Sequence, residues 1–187
     1  MKLAVPTGWK VQPASQTLGK IRPGTSAPVI FTVTSTKPKP GPNDDLISAS
    51  VDYQANKYTA SVPGYFDLLR NVPYANLAAA YNNVGVTSGD DPKPGNFDGT
   101  GNSFNAELLA GQGLTPGATV SANGYSFQWP NVAPGVADNV QTAGQLIKLS
   151  GSGNTLAFLG SEAGDRTDTV TVHYTDGTTS TGTVGFP

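Results

Sequence analysis

The sequence predicts an all-β chain of two sandwiches, and three observations carry that expectation. Gly (23) and Pro (15) interrupt the chain throughout. They bound runs of about 8 to 12 residues, the spacing of short strands joined by tight turns. Apolar residues inside the runs alternate with polar ones, the period of a strand with one buried face. Finally, charge is divided along the chain: residues 1–73 carry a net +4 and residues 74–187 a net −6, placing a domain boundary between them.

In the first domain, expected over 1–64, Val29, Phe31 and Val33 alternate with Ile30, Thr32 and Thr34. Ile47, Ala49, Val51 and Tyr53 do the same against Ser48, Ser50 and Asp52. The intervening run, Thr36 to Asp45, holds three prolines that cannot donate to a ladder and is expected to be a loop. After a turn near Ala55-Asn56, Lys57 to Val62 should return as the last strand. Trp9, just after a Pro-x-Gly turn at the start of a strand, reads as a plug at the end of the core rather than as a sugar platform.

Residues 65–73 form a connector. Its Tyr65, Phe66, Leu68 and Leu69 would stabilise a packed arrangement by about 1.5 to 3 kcal/mol for each side chain fully buried, so they are expected between the domains.

The second domain, 74–187, follows the same logic. Tyr74 to Asn83 reads as a strand leading into Val84 to Thr87, although its alanines would also suit a short helix. Ala106-Glu107-Leu108-Leu109-Ala110 is the one credible helical turn, stopped by Gly111 and Gly113. Tyr125, Phe127 and Trp129 share a strand face and most simply form core. Leu156 and Phe158 share another face, and Val170, Val172 and Tyr174 alternate before an Asp176-Gly177 hairpin turn and a return over Thr181 to Phe186. Long loops at Ser88 to Gly95 and Val132 to Asn139 fit a jelly-roll better than a meander.

Several chemistries are excluded. With no cysteine there is no disulfide, thiolate zinc site or thiol nucleophile. No apolar run reaches the roughly 18 residues of a membrane span, and neither half is basic and aromatic in one place as nucleic-acid binding demands. His173 is the sole histidine. Glycoside hydrolysis needs two carboxylates roughly 5 to 9.5 Å apart. Asp98, Asp138, Asp165, Asp168 and Glu107 are available, but most sit in turn contexts where Asp caps the backbone, so no catalytic residue is assigned. If the chain holds a metal, the oxygen-rich loops at Asp90, Asp91, Asn96 and Asp98 point to a structural calcium, with backbone capping as the competing explanation. No leader precedes Met1-Lys2-Leu3-Ala4-Val5, and the C-terminal residues still read as strand, so the chain is expected to be a segment of a longer polypeptide.

Two resemblances follow from ordered motifs. Pro6-Thr7-Gly8-Trp9, Leu18 to Gly24 and Val29 to Thr34 resemble the NPCBM-associated immunoglobulin-like domain of bacterial α-galactosidases, here with a shortened first strand. The blocks Tyr81-Asn82-Asn83-Val84-Gly85-Val86-Thr87, Asn96-Phe97-Asp98-Gly99, Ser103-Phe104, Phe127-x-Trp129-Pro130, Asp138-Asn139-Val140 and Tyr174 to Thr178 resemble a galactose-binding-like module attached to actinobacterial glycoside hydrolases. The resemblance implies a secreted, extracellular accessory segment of an α-galactosidase- or α-mannosidase-like parent. Its expected partners are the catalytic domain of the same chain and a glycan. Tyr81, Asn82, Asn83, Phe97 and Asn139 supply the aromatic and amide groups that sugar binding requires. The alternative is a structural spacer or cell-surface interaction module that binds no sugar.

Overall fold

The computed structural model describes residues 1–36, 38–55, 57–164 and 166–186. The chain is nearly all β and divides into two compact units, Met1–Ala75 with Ala143–Lys148, and Asn76–Thr142 with Leu149–Pro187.

In the first unit, β1 (Lys2–Ala4) is short, β2 (Trp9–Gln12) pairs antiparallel with β3 (Thr32–Ser35), and β1 lies beside β4 (Gly41–Ala55), which lies beside β5 (Tyr58–Val72). The expected alternation is present: Val29, Phe31, Val33 and Ser35 are half-buried and the residues between them exposed. On β4, Ile47 is only 1% exposed and forms the centre of this unit's core.

Two expectations are corrected here. Gly41 to Asp45 belong to β4 rather than to a loop. Pro42 is tolerated because β1 covers β4 only from Ser48 to Ser50, so beyond that stretch β4 has a partner on one side only. Lys37, in the same run, lies outside the described residues, as does Asn56. The return strand begins where expected but continues ten residues past Val62, so that the presumed connector is strand as far as Val72. Tyr65 and Leu69 fall on the face opposite Ile47 and are 67% and 75% exposed, because alternation along β5 sends every second side chain away from the core.

The segment 143–148 is fastened to the base of this ribbon. Tyr74 N donates to Leu146 O (2.8 Å), Lys148 N donates to Tyr74 O (3.0 Å), and Asn71 Nδ2 donates to Gly144 O (2.6 Å). Gly41, at φ +97°, leaves 2.8 Å between a built Cβ and the Tyr74 hydroxyl, so only glycine fits the strand's first position.

The second unit has short elements. A 3₁₀ turn spans Ala78–Ala80, where a strand was expected; the Asn76 side chain accepts from Ala79 N (2.8 Å) and starts the turn. β6 (Val86–Thr87) and β7 (Phe104–Asn105) are parallel, and α1 (Ala106–Ala110) follows as predicted, capped by Asn105 Oδ1 on Leu108 N (2.8 Å). β8 (Thr119–Ala122) and β9 (Tyr125–Gln128) are joined by Asn123-Gly124, with φ of 51° and 82°. Asn-Gly with two positive φ values is the favoured two-residue hairpin turn, a signal the sequence reading passed over.

β10 (Thr167–His173) and β11 (Thr179–Gly185) form the last hairpin. Its connection is longer than two residues: Tyr174 N donates to Thr178 O and Gly177, at φ +87°, closes a turn on Tyr174 O. Leu156 and Phe158 lie outside any strand and are each 44% exposed; glycines at 151, 153 and 160 bound that apolar run and disfavour a continuous ladder.

Candidate functional site

The residues nominated for sugar binding come together in the second unit, around the irregular segment 82–88. On one side, Asn82 N (3.0 Å) and Asn83 N (3.3 Å) donate to Asn139 O, Asp138 N returns a bond to Asn83 O (3.0 Å), and Gly135 N donates to Val86 O (2.8 Å). On the other, Asn96 N donates to Val84 O (3.0 Å) and Phe104 N to Gly85 O (2.8 Å). Three motif blocks far apart in sequence thus meet through their backbones.

At the centre stands Asp138, 6% exposed. Its Oδ1 accepts from Gly85 N (2.8 Å) and from Asn139 Nδ2 (2.7 Å), while Oδ2 accepts from Val86 N (2.8 Å). Bonds from three donors to one carboxylate offset the cost of burying its charge. Gly85 is required for this approach: a Cβ there would lie 2.6 Å from Asn139 Nδ2 and 3.1 Å from Asp138 Oδ1. Next in the chain, buried Thr87 shares a 2.6 Å hydroxyl–hydroxyl bond with Ser103.

The nominated side chains serve this framework. Asn83 is buried; its Oδ1 accepts from Val84 N (3.0 Å) and its Nδ2 donates to Phe97 O (3.4 Å). Asn139 Nδ2 also reaches Asn83 O (3.3 Å). Asn82 is exposed, but its amide clamps the backbone of Gln141, accepting from N (2.7 Å) and donating to O (3.2 Å). Half-buried Phe97 stands edge-on to Phe104, with centroids 4.9 Å apart at 63°. Tyr81 is half-buried, and its phenol is pushed above the ordinary range, first by burial and then by the nearby Asp138 charge.

The nominated calcium ligands divide between two turns. Asp90 and Asp91 are exposed on a turn in which Asp91 N donates to Ser88 O (3.2 Å). In the next loop, Asn96 Oδ1 accepts from Gly101 N (3.2 Å). Asp98 accepts from the hydroxyl and amide of Thr100 and from the side chain and amide of Asn102. These donors, the Asn102 side chain foremost, hold the Asp98 carboxyl well below the usual carboxylate range. Both carboxylate oxygens are thereby engaged, which is the geometry of a backbone cap and a poor fit to a cation ligand. Among the described residues no group of three or more His, Asp or Glu is placed to hold a metal ion.

Three further acids act in the same way. Glu107 Oε2 accepts from Gly89 N (2.9 Å), Glu162 from Arg166 N (2.9 Å) and Asp176 from Thr178 N (2.9 Å). Asp168 lies 3.5 Å from the Thr142 hydroxyl, and Asp165 lies outside the described residues. Beside Asp138, a crevice of about 40 Å³ lined by Val86, Leu114, Trp129 and Pro130 has room for a few waters and no more. In the first unit, the Arg70 guanidinium covers Trp9, 4.6 Å from the ring centroid, and is itself paired with Asp45 at 2.7 Å. The tryptophan's ring is thus engaged by a cation of its own chain.

Residues 73–185, more than half of the chain, match the AziU2-like beta-sandwich domain. The chain belongs to that family. The AziU2-like match makes the second unit a β-sandwich domain, and the whole Asp138 framework lies inside it. No curated protein and no solved structure matches the chain. Among the described residues, no helix is long and apolar enough to cross a membrane.

The centre of this framework is not singled out by the sequence: Asp138 reads there as one acid among several, and Gly85, Thr87 and Ser103 have no assigned role. One signal pointed to them: Gly85 sits between Val84, Val86 and Thr87, and a glycine within a β-branched run marks a place where another group comes close.

Proposed function

We propose that this chain is a non-catalytic accessory segment of a secreted bacterial glycoside hydrolase, with an α-galactosidase- or α-mannosidase-like parent. In this reading the first unit is an immunoglobulin-like sandwich and the second a galactose-binding-like jelly-roll. Together they support the parent's catalytic domain outside the cell. The observation that carries the proposal is the use of the acids: Asp138, Asp98 and Glu107 hold backbone amides of their own unit. A glycosidase needs one carboxyl free to protonate the leaving group and another free to attack or to activate water.

Glycan contact is a second reading, favoured by the partial exposure of Tyr81 and Phe97 beside exposed Asn82. One set of measurements tests both. The purified chain is expected to hydrolyse no aryl α-galactoside or α-mannoside, and turnover lost in Asp138→Asn would sink the accessory reading. On a glycan array with calcium or chelator, a specific signal abolished by Tyr81→Ala or Phe97→Ala supports sugar contact. A blank array leaves structural support, or a spacer or cell-surface interaction role.

A further inference from the structure

Three Asx-Gly pairs occur in the sequence, at 98–99, 123–124 and 176–177. In such a pair the glycine nitrogen can attack the carbonyl carbon of the preceding side chain, and glycine, lacking a Cβ, hinders that approach least. At two of the pairs the fold occupies both reactants. Gly99 N donates to Asn96 O (3.3 Å), while the Asp98 carboxylate accepts from Thr100 and Asn102. Gly177 N donates to Tyr174 O (3.1 Å), while Asp176 Oδ1 accepts from Thr178 N (2.9 Å) and Thr178 Oγ1 (2.7 Å). The turn between β8 and β9 is different. Among the described residues, neither the Asn123 side chain nor Gly124 N has a hydrogen-bond partner. Both residues are exposed, and a Cβ built on Gly124 would meet nothing within 4 Å.

We propose that Asn123 is a site of spontaneous deamidation in the folded protein, with water as the only co-reactant. Gly124 N gives up its proton and bonds to Asn123 Cγ. The Cγ–Nδ2 bond breaks, the side-chain nitrogen leaves as ammonia with that proton, and a five-membered imide remains. Water then adds to one of the two imide carbonyls and opens a C–N bond. Opening at Cγ gives an ordinary aspartyl residue. Opening at the main-chain carbonyl gives an isoaspartyl residue, whose main chain runs through Cβ and Cγ.

The attack requires rotation of the main chain at Asn123. Among the described residues β8 and β9 pair only with each other, so four rungs of one hairpin are what resists that rotation. The isoaspartyl product lengthens the turn by one main-chain carbon and adds a negative charge. A two-residue turn fitted to the strand twist by positive φ at both positions then no longer closes Ala122 on Tyr125. β9 runs into Trp129, whose N donates to Ala118 O (2.8 Å) and whose side chain lines the crevice beside Asp138. The modification is thus a slow, one-way change in the second unit, independent of whether that unit contacts glycan or supports a catalytic domain.

The test holds the whole folded chain at mildly alkaline pH for days. Peptide mass mapping follows the loss of each amide, and methyl transfer by a protein isoaspartyl methyltransferase detects the rearranged main chain. Asn123 should lose its amide several-fold faster than any other asparagine, with more isoaspartyl than aspartyl product. The rate should rise with pH, because the attacking nitrogen must be deprotonated. Gly124→Ala should slow the reaction several-fold. Because alanine is strained at the φ of +82° found there, the same incubation of the unaltered chain in denaturant supplies a second measurement. Unfolding releases the caps on Asp98 and Asp176, so isoaspartate at those two pairs should rise by a larger factor than at Asn123, whose folded rate should stay within a few-fold of its unfolded one. An Asn123 amide that outlasts the other asparagines in the folded chain, or one that folding protects as fully as it protects the two Asp-Gly pairs, would overturn the proposal.

Discussion

The two units are held together by different means. In the first, a ribbon of two fifteen-residue strands supplies a long regular ladder, and its deepest side chain is an isoleucine. In the second, the strands are short, and the most buried side chains among those described, apart from Ala80, are Thr87, Asp138 and Asn83. The first unit buries apolar surface beneath regular hydrogen bonding. The second uses polar side chains to tie irregular segments to one another. Regular backbone pairing is tolerant of side-chain identity, whereas an irregular framework depends on particular atoms.

That contrast can be broken at either end, and the larger effect is expected in the second unit. Asp138→Ala removes the acceptor of Gly85 N and Val86 N and leaves buried donors unpaired. The expected loss is about 2–6 kcal/mol, from roughly 1–3 kcal/mol for each of the two backbone donors left unsatisfied. The chain has one tryptophan in each unit, Trp9 and Trp129. Denaturant titrations of single-tryptophan variants therefore read the units separately, and the Trp129 transition should move while that of Trp9 stays. Equal movement of both would mean that the units unfold as one.

A smaller effect, of opposite localisation, is expected for Ile47→Ala. Truncating the most buried side chain of the first unit should cost about 2–4 kcal/mol through lost transfer energy and the cavity left behind. Here the Trp9 transition should shift and the Trp129 transition hold. A loss below about 1 kcal/mol would show that the ribbon's ladder carries this unit without its core.

The same contrast explains what could be read from the residues alone. Alternation located β3 and the distal part of β4, because a period of two is a local signal of a half-buried strand, and the turn near Ala55 placed the start of β5. Gly111 and Gly113 likewise marked the end of α1, while its capping Asn105 is seen only in the structure. What alternation could not supply was where pairing stops: nothing near Val62 signals that β5 continues to Val72, since that depends on β4 extending back to Gly41. In the second unit, the motif blocks were visible but their convergence was not, as Gly85 and Asp138 are 53 residues apart. A buried Asp bonding backbone amides has the same local appearance as an exposed turn Asp. Sequence context identified the capping chemistry and left the burial unknown.

The smallest expected effect concerns an exposed cap. Asp98 makes the same kind of bonds as Asp138 but in solvent, so water and salt screen its contribution. Its carboxyl is held well below the ordinary aspartate range by the Asn102 side chain and by Thr100. A depressed native pKa means that the unfolded chain binds the proton more readily. The contribution to stability is therefore present above the unfolded value and is lost as pH falls through the native one. Carboxyl-carbon NMR should find Asp98 ionised at a pH where an ordinary aspartate is protonated. Asn102→Ala should move its midpoint up toward the ordinary value, and Thr100→Ala should move it less. Calcium should leave the midpoint in place, because the donors that lower it belong to the loop. A midpoint that falls further when calcium is added would instead identify the loop as a cation site, and would separate Asp98 in function from the buried cap at Asp138.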